Sequence, residues 1–237
     1  MAALIDGDLF AYRAAAAAET ETDWGDDFFT IHSNVEDAYR IFVGLIEPCQ
    51  KRKFGALKVA FSSKTNFRKD VYPGYKSNRT YRKPVGYAAL VEKIRERWDT
   101  EVYDGLEADD LLGLHSKTMT MITEDKDLRG VPGKLYHPGL DRLEKIDRAS
   151  ADRFFYTQIL IGDSTDGYPG CPGIGEKRAE AILEGVEGEQ NLWKAVLETY
   201  LSKGLTEEDA IAQARCARIL RPGEYKNKKV KLWTPPI

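Results

Sequence analysis

Nine acidic residues occur in four short clusters along the 237-residue sequence. The clusters are Asp6 and Asp8; Glu107, Asp109 and Asp110; Asp125 and Asp127; Asp163 and Asp166. Carboxylates that face one crevice repel one another unless hard cations neutralise them, and oxygen-only ligands suit Mg²⁺ or Mn²⁺. Two such ions about 3.5–4 Å apart can activate a water molecule and stabilise the leaving oxygen of a phosphoryl transfer. We therefore predict that these residues bind two metal ions at a site that cleaves phosphodiester bonds.

Each cluster taken alone has an ordinary structural explanation. Glu107-Ala108-Asp109-Asp110 is typical of a helix start, where acidic side chains compensate the helix dipole. Asp125 and Asp127, which follow an apolar run, are typical of a solvated turn. The metal-site prediction therefore depends on all four clusters meeting in space.

The elements that would bring them together follow from apolar patterning. Short apolar runs predict buried strands at residues 2–5, 57–61 and 119–123, and helical patterns lie between and after them. The first strand is expected to end in a turn at Asp6-Gly7-Asp8. This alternation predicts an α/β fold with a mainly parallel sheet flanked by helices. Ligands bind such sheets beyond the carboxyl ends of the strands, so Asp6 and Asp125 are expected at one edge.

Basic residues are concentrated in two segments, although the net charge is −3. Residues 64–83 contain seven basic residues and one acid, and residues 215–231 have the same numbers. A phosphate-binding surface beside a metal-binding cluster requires such segregation, while two solvated basic faces are the alternative. In the first segment tyrosines alternate with cations, a combination that can bind phosphates and stack an unpaired base. Its DNA-binding candidates are Lys76, Arg79, Arg82 and Lys83.

A glycine-rich turn follows the last acidic cluster. Gly173-Ile174-Gly175, with Lys177 at the start of a predicted helix, matches a helix-hairpin-helix pattern. Glycines allow the backbone to approach phosphates, and the amides of a helix N-terminus point towards an anion. A plain turn between two helices is the alternative. The adjacent Asp163 and Asp166 favour the DNA-binding interpretation.

Several other classes of protein are excluded by composition. No run of 18 or more apolar residues occurs, so we expect no membrane-spanning segment. The first residues lack the basic region of a signal peptide. Three isolated cysteines fit a reduced, cytoplasmic protein, and three histidines are too few to favour a histidine-based zinc site.

The motifs and their order resemble the flap-endonuclease/5′-3′ exonuclease family, in particular the replication exonucleases of T-odd bacteriophages. The motifs are Asp6-Gly7-Asp8, Tyr75-Lys76-Ser77-Asn78-Arg79, Glu107-Ala108-Asp109-Asp110, Asp125-Lys126-Asp127, the pair Asp163 and Asp166, and Gly173-Ile174-Gly175. The resemblance covers nearly the whole chain. It implies a PIN-like catalytic core at residues 1–161, with a helical arch at about 62–86. It also implies a helix-three-turn-helix DNA-binding subdomain at residues 162–237, packed on the core.

The resemblance further implies an activity and a role for each motif. Family members remove nucleotides or flaps from duplex DNA in the 5′→3′ direction, RNA primers included. By position, Asp6, Glu107, Asp109 and Asp110 would hold the first metal, and Asp127, Asp163 and Asp166 the second, with Asp125 close by. Lys76 and Arg79 would bind the scissile or the 5′ phosphate from the arch. Gly173, Gly175 and Lys177 would bind the duplex backbone, where family members can also hold K⁺.

One position departs from the family pattern. Phe61 is followed by Ser62 and Ser63, where family members usually carry an aspartate. Serine supplies no negative charge, although Asp8 can partly compensate. We therefore expect a monomeric, cytoplasmic two-metal nuclease that acts on DNA with 5′ ends, nicks or flaps, in a host cell if a phage encodes it. A weakly active or inactive DNA-structure-binding protein of the same fold is the alternative, and a PIN-type ribonuclease is a second one.

Overall fold

Strands and helices alternate along most of the chain, of which the computed structural model describes residues 2–52 and 54–236. The strands are β1 (Ala3–Asp6), β2 (Glu19–Asp23), β3 (Phe29–Ser33), β4 (Leu57–Ala60), β5 (Thr100–Glu101), β6 (Thr120–Ile122), β7 (Gly133–His137), β8 (Arg142–Ile146), β9 (Tyr225–Lys226) and β10 (Lys229–Val230). The α-helices are α1 (Gly7–Ala17), α2 (Val35–Lys51), α3 (Arg68–Val71), α4 (Tyr87–Arg97), α5 (Ala108–His115), α6 (Arg148–Ile161), α7 (Glu176–Leu183), α8 (Glu189–Ser202) and α9 (Glu207–Ala217). None of these described helices is long and apolar enough to cross a membrane.

The central sheet has six strands in the order β5-β4-β1-β6-β7-β8. All neighbouring pairs are parallel except β7 and β8, which pair antiparallel. All four residues of β1 are buried, as expected for a parallel strand that is covered on both faces. Because β1, β4 and β6 run in the same direction, their carboxyl ends meet at one edge of the sheet. The predicted mainly parallel α/β architecture is confirmed.

Helices cover both faces of this sheet, because successive residues of β1 point to opposite sides. Ile5 belongs to an apolar cluster with Phe10 of α1 and Phe42 of α2. Leu4 belongs to a second cluster with Leu111 of α5, on the other side of the sheet. The sequence of the strand therefore positions one layer of helices on each face.

Helix α1 begins directly after β1, so the predicted turn at this point is wrong. Asp6 is the N-cap of α1, since its Oδ1 accepts a hydrogen bond from the backbone N–H of Leu9 at 3.0 Å. Gly7 lies against β4, where an added Cβ would be 2.5 Å from the carbonyl oxygen of Ala60. A glycine is needed here because the helix starts in contact with the neighbouring strand, which local sequence patterns do not reveal.

The C-terminal helices have a core of their own. Phe155 and Ile159 of α6 pack in one apolar cluster with Trp193 and Tyr200 of α8 and with Trp233. Helix α6 therefore shares its apolar face with the helices that follow it, and the predicted domain boundary falls at its last residue.

The antiparallel hairpin of β2 and β3 was not predicted from the sequence. None of residues 19–33 is buried, and Trp24 and Phe28 at its tip are 66% and 60% exposed. At its base, Glu19 accepts hydrogen bonds from both terminal nitrogens of Arg82 at 2.6 and 3.1 Å. The hairpin is thus attached to the basic segment but contributes no buried side chain.

Candidate active site

Acidic side chains from distant parts of the sequence meet at the carboxyl edge of the sheet. Asp6 ends β1 and Asp125 follows β6. Burial, and then the negative charges of Asp8 and Asp125, raise the pKa of Asp6 to about 7. Such an effect requires that the carboxylates lie near one another, as the strand order predicts.

The acids of α5 lie in the same group. Burial, and then the negative charges of Asp6 and Asp125, raise the pKa of Asp109 well above its usual range. Glu107 is the N-cap of α5 and also contributes to this effect. The first half of the site is therefore built from β1, α5 and the segment after β6.

The fourth acidic cluster joins through Asp127. Burial, followed by the negative charges of Asp125 and Asp163, raises the pKa of Asp127 to about 7, and Asp166 acts in the same direction. Asp163 and Asp166 lie in a turn closed by backbone hydrogen bonds between Asp163 and Tyr168, with no helix at this point. Asp125 affects the pKa values of acids in both halves of the site and so lies close to both.

The donor set fits divalent cations. Within residues 2–52 and 54–236 no three acidic, histidine or cysteine side chains are already close enough to hold one metal ion together. The carboxylates nevertheless repel one another enough that Asp6, Asp109 and Asp127 have raised pKa values. A hard cation that replaced their protons would remove this repulsion and find only oxygen ligands.

Glu107 differs from these acids because cations surround it. Although burial opposes the effect, the positive charges of Arg68 and Lys76 lower the pKa of Glu107 to about 2. The ammonium group of Lys76 forms a salt bridge with Glu107 and lies 3.5 Å from Oδ2 of Asp166. Glu107 therefore carries a negative charge near neutral pH.

Lys76 and Arg79, both predicted to be catalytic, reach the acidic group. Lys76 has a positive φ of 54°, and its backbone N–H donates to the carbonyl oxygen of Asp166 at 2.7 Å. Nη2 of Arg79 donates to Oδ1 of Asp166 at 2.5 Å. The basic segment is therefore held against the turn that contains Asp163 and Asp166.

Arg82 and Lys83, predicted to bind DNA, are placed elsewhere. Arg82 pairs with Glu19 at the base of the β2–β3 hairpin. The ammonium group of Lys83 lies 4.7 Å from the ring centroid of Tyr87. The structure shows no contact between these two cations and the acidic group.

The glycine-rich turn has the predicted local form. Gly173 has a positive φ of 76°, and Gly175 is the N-cap of α7. Lys177 is exposed and lines an open depression with Arg153 and Glu180. The N-terminus of α7 and the side chain of Lys177 are thus both presented on the surface of the C-terminal part.

Asp8 lies beside Ser62, one of the two serines expected to stand where an aspartate is usual. Its Oδ2 accepts from the backbone N–H of Ser62 at 2.9 Å, and its Oδ1 accepts from the hydroxyl of Tyr87 at 2.9 Å. The hydroxyl of Ser62 accepts from the backbone N–H of Ala108, the first residue of α5, at 3.0 Å. Ser62 therefore positions α5, while Asp8 supplies a carboxylate nearby.

Some side chains that contact the acids, Thr123 and Gln158 among them, were not singled out from the sequence. The hydroxyl of Thr123 donates to Asp6 at 2.8 Å, and Nε2 of Gln158 donates to Asp127 at 2.7 Å. Tyr75, interpreted as part of an exposed base-stacking surface, is only 2% exposed, so that interpretation is wrong. Its hydroxyl lies within 2.9 Å of Glu107 and 2.7 Å of Asp166. Thr123 had a usable signal, because it is the last residue of a strand predicted to end at the acidic edge.

Some of the counted basic residues do not form a phosphate-binding surface. Arg68, Arg218 and Arg221 are 2%, 5% and 5% exposed. Arg68 forms a bidentate salt bridge with the fully buried Asp110, at 2.8 and 2.7 Å. The position of a basic residue in the sequence does not distinguish a buried, paired arginine from a surface cation.

An acidic, oxygen-only site at the edge of a parallel sheet is typical of nucleases that use divalent cations. Residues 1–135 match the family described as "5′-3′ exonuclease, N-terminal resolvase-like domain", and the chain belongs to this family. It is 29% identical to the exodeoxyribonuclease of Enterobacteria phage T3, over 98% of this chain and 92% of that protein. The exonuclease of Escherichia phage T7 is also 29% identical, over 98% of this chain and 93% of that protein. The predicted enzyme class is confirmed.

Solved structures show the same fold at low identity. A flap endonuclease of bacteriophage T5, in a complex with DNA and metal ions, has a TM-score of 0.64 and 16% identity over 91% of this chain and 90% of that one. The catalytic core of Rad2 in complex with a DNA substrate has a TM-score of 0.59 and 11% identity over 99% of this chain and 83% of that one. These likenesses confirm the PIN-like sheet flanked by helices.

Proposed function

We propose that this 5′-3′ exonuclease hydrolyses phosphodiester bonds in duplex DNA at 5′ ends, nicks and flaps, with divalent cations as cofactors. The observation that carries the proposal is the meeting of all four acidic clusters, whose charges are coupled through Asp125. Membership of the exonuclease family supports it, and so does the fold shared with a phage T5 flap endonuclease that was solved with DNA and metal ions.

Two cations, Mg²⁺ or Mn²⁺, would be held by the two halves of the acidic group. One half consists of Asp6, Glu107 and Asp109, with Asp8 beside it; the other consists of Asp127, Asp163 and Asp166, with Asp125 between the halves. When bound, such ions supply an acidified water and stabilise the leaving oxygen. Asp110 is left out of this set because of its contacts with Arg68.

Lys76 and Arg79 are the cations that would act on the substrate. Both are held by carboxylates of the site, Glu107 and Asp166. Neutralisation of these carboxylates would weaken the two salt bridges and make the side chains available to the scissile phosphate. A positive charge placed there stabilises the charge that develops during hydrolysis.

Residues 162–236 would form the subdomain that binds the duplex. Gly173, Gly175 and Lys177 lie at the N-terminus of α7, where backbone amides and a cation can contact one DNA strand. K⁺ could join the phosphate contact at this turn, and Arg82 and Lys83 would extend the surface along the basic segment. RNA–DNA hybrids are a second substrate of this proposal. The protein would act as a monomer in the host cytoplasm.

The test is release of label from 5′-labelled nicked and flapped duplexes with Mg²⁺ and with EDTA. We expect cleavage only with Mg²⁺. Asp109→Asn should lower the rate about 100-fold or more, because it removes a proposed ligand of the ion that stabilises the transition state. Asp37→Asn is the matched control, since Asp37 is a half-exposed acid of α2 that pairs with Arg40.

The outcomes also distinguish the two alternatives. Binding of flapped DNA without cleavage at any metal concentration would support a DNA-structure-binding protein. Preference for single-stranded RNA over duplex DNA in a competition assay would support a PIN-type ribonuclease.

A further inference from the structure

Arg68 is a buried arginine whose hydrogen-bonding capacity is fully used. It begins α3 and is 2% exposed. Nε donates to the carbonyl oxygen of Cys216 at 3.0 Å, and Nη2 donates to that of Arg218 at 2.6 Å. The remaining donors contact Asp110 at 2.8 and 2.7 Å and Glu107 at 3.4 Å. All five N–H groups therefore have an acceptor.

Asp110, the partner of Arg68, is also fully engaged. It has no exposed surface, and each carboxylate oxygen accepts one hydrogen bond from Arg68. Oδ1 also accepts from the backbone N–H of Leu220 at 3.1 Å, and Oδ2 accepts from that of Glu107 at 3.2 Å. Four accepted contacts leave this carboxylate no free direction for a cation. A metal ion could bind only by displacing a buried guanidinium, which would then be unpaired.

The pair connects three parts of the molecule. Arg68 lies near the start of the basic segment, and Asp110 belongs to α5. Their backbone partners Cys216, Arg218 and Leu220 lie at the end of α9 and in the segment after it. Glu107, which begins α5, contacts both members of the pair. The positions of Glu107 and of Asp109, which lies between Glu107 and Asp110 in the sequence, therefore depend on where Arg68 holds the helix.

We propose that Arg68 is a positioning residue for the cleavage reaction, and that Asp110 anchors Arg68 and is not a metal ligand. The proposal rests on the proposed metal-dependent function and assigns a different role to one residue of the Glu107–Asp110 motif. In this arrangement Arg68 keeps α5 oriented so that Glu107 and Asp109 face the site. Residues that orient metal ligands typically change metal affinity about 10–100-fold when they are replaced.

Mn²⁺ binding in the absence of DNA distinguishes a metal ligand from a positioning residue. The electron paramagnetic resonance signal of the free ion measures this binding. For Arg68→Lys we expect an unchanged number of bound ions and an affinity about tenfold or more lower, since lysine cannot form the bidentate contact. Asp110→Asn should behave in the same way. Asp109→Asn, which removes a proposed ligand, should instead lose one bound ion.

Arg221→Lys is the matched control. Arg221 is another buried arginine, 5% exposed, and it pairs with Asp152 and with the carbonyl oxygen of Gly130. Its replacement disturbs a buried arginine–aspartate pair that no residue of the acidic group shares. We expect a lower melting temperature and unchanged Mn²⁺ affinity.

Cleavage measured against Mg²⁺ concentration gives a second readout. Arg68→Lys should need about tenfold more Mg²⁺, approach the parental kcat at saturating metal and keep its KM for DNA. If a single variant does not fold, Arg68→Met combined with Asp110→Leu replaces the ion pair by apolar groups of similar volume. This double variant should still bind the parental number of ions, with lower affinity.

Three results would overturn the proposal. Loss of one ion in Asp110→Asn or in the double variant would make Asp110 a ligand. Parental Mn²⁺ affinity in Arg68→Lys would show that Arg68 does not position the metal ligands. Equal losses of affinity in Arg68→Lys and Arg221→Lys would show that the effect comes from lower overall stability. Absence of Mn²⁺ binding in the unsubstituted protein would instead contradict the proposed function itself.

Discussion

Asp6 and Asp127 are carboxyl groups whose protonation depends on burial and on nearby acids, some of which are distant in the sequence. Burial, followed by nearby negative charges, raises each pKa from 3.8 to about 7. Between pH of about 4 and 7 the folded protein therefore keeps protons that the unfolded chain has released. The stability contributed by these protons is lost as the pH rises through this window. Bound cations would replace the protons and reverse the loss.

The prediction at this scale concerns melting temperature against pH. In EDTA, the contribution of Asp6 and Asp127 should lower the melting temperature progressively as the pH rises from 5 to 8. The increase in melting temperature caused by Mn²⁺ should grow over the same range. Asp127→Asn should flatten the EDTA profile. Differential scanning calorimetry measures both effects. A Mn²⁺-induced shift that is the same at pH 5 and pH 8 would contradict the proton–metal exchange.

Tyr75 gives a second residue-scale prediction. Its buried hydroxyl contacts the carboxylates of Glu107 and Asp166. Tyr75→Phe should reduce the free energy of unfolding by about 1–3 kcal/mol, because its single O–H donates a hydrogen bond to a charged acceptor. Tyr81→Phe is the control, since Tyr81 is 59% exposed on the same segment. Equal urea denaturation midpoints for the two variants would show that the hydroxyl of Tyr75 is not used as described.

At the scale of elements, the contact between α1 and β4 determines where Asp6 lies. Gly7→Ala would place a Cβ 2.5 Å from the carbonyl oxygen of Ala60, so we expect a loss of about 1–3 kcal/mol in the free energy of unfolding. Gly44→Ala in α2 meets no atom within 4 Å and should stabilise the protein by about 1 kcal/mol. Urea denaturation of both variants tests the opposite signs. A neutral Gly7→Ala would mean that the close approach is absent.

The β2–β3 hairpin, unlike the contact between α1 and β4, is an element that we expect to contribute little to stability. Because none of residues 19–33 is buried, replacing residues 20–32 by two glycines should change the free energy of unfolding by no more than about 1 kcal/mol. Mn²⁺ affinity should also be kept. Urea denaturation and Mn²⁺ titration of the shortened protein are the measurements. A loss of several kcal/mol would show that the hairpin supports the core.

At the scale of the whole molecule, a net charge of −3 must be reconciled with a polyanionic substrate. We propose that DNA contacts separate groups of surface cations, such as the one at the N-terminus of α7, and that the net charge of the whole chain therefore does not prevent binding. Lys177→Ala should weaken binding of duplex DNA in Ca²⁺. The slope of the logarithm of the binding constant against the logarithm of salt concentration should fall by the amount expected for about one phosphate contact. Lys194→Ala, on the exposed face of α8, is the control. Fluorescence anisotropy over a range of salt concentrations compares them, and identical slopes would place the duplex elsewhere.

Much of this protein could be predicted from local patterns. Apolar runs of four or five residues indicated β1, β4 and β6, and the acids that follow β1 and β6 were expected at one edge of the sheet. The pairing of these strands confirms that architecture. The prediction succeeded because strand periodicity and the direction of parallel strands depend on short stretches of sequence and on a general rule of sheet geometry.

What the tertiary structure alone decided is which side chains meet. The sequence predicts Arg68 in a basic surface and Asp110 among the metal ligands, yet the two form one buried pair 42 positions apart in the sequence. Tyr75 was interpreted as exposed and is buried. Residue types determine which contacts are chemically possible, but packing determines which partner is within reach, and burial then sets the charge state of each acid. For this reason the acidic clusters could be read from the sequence, whereas the role of each acid within them could not.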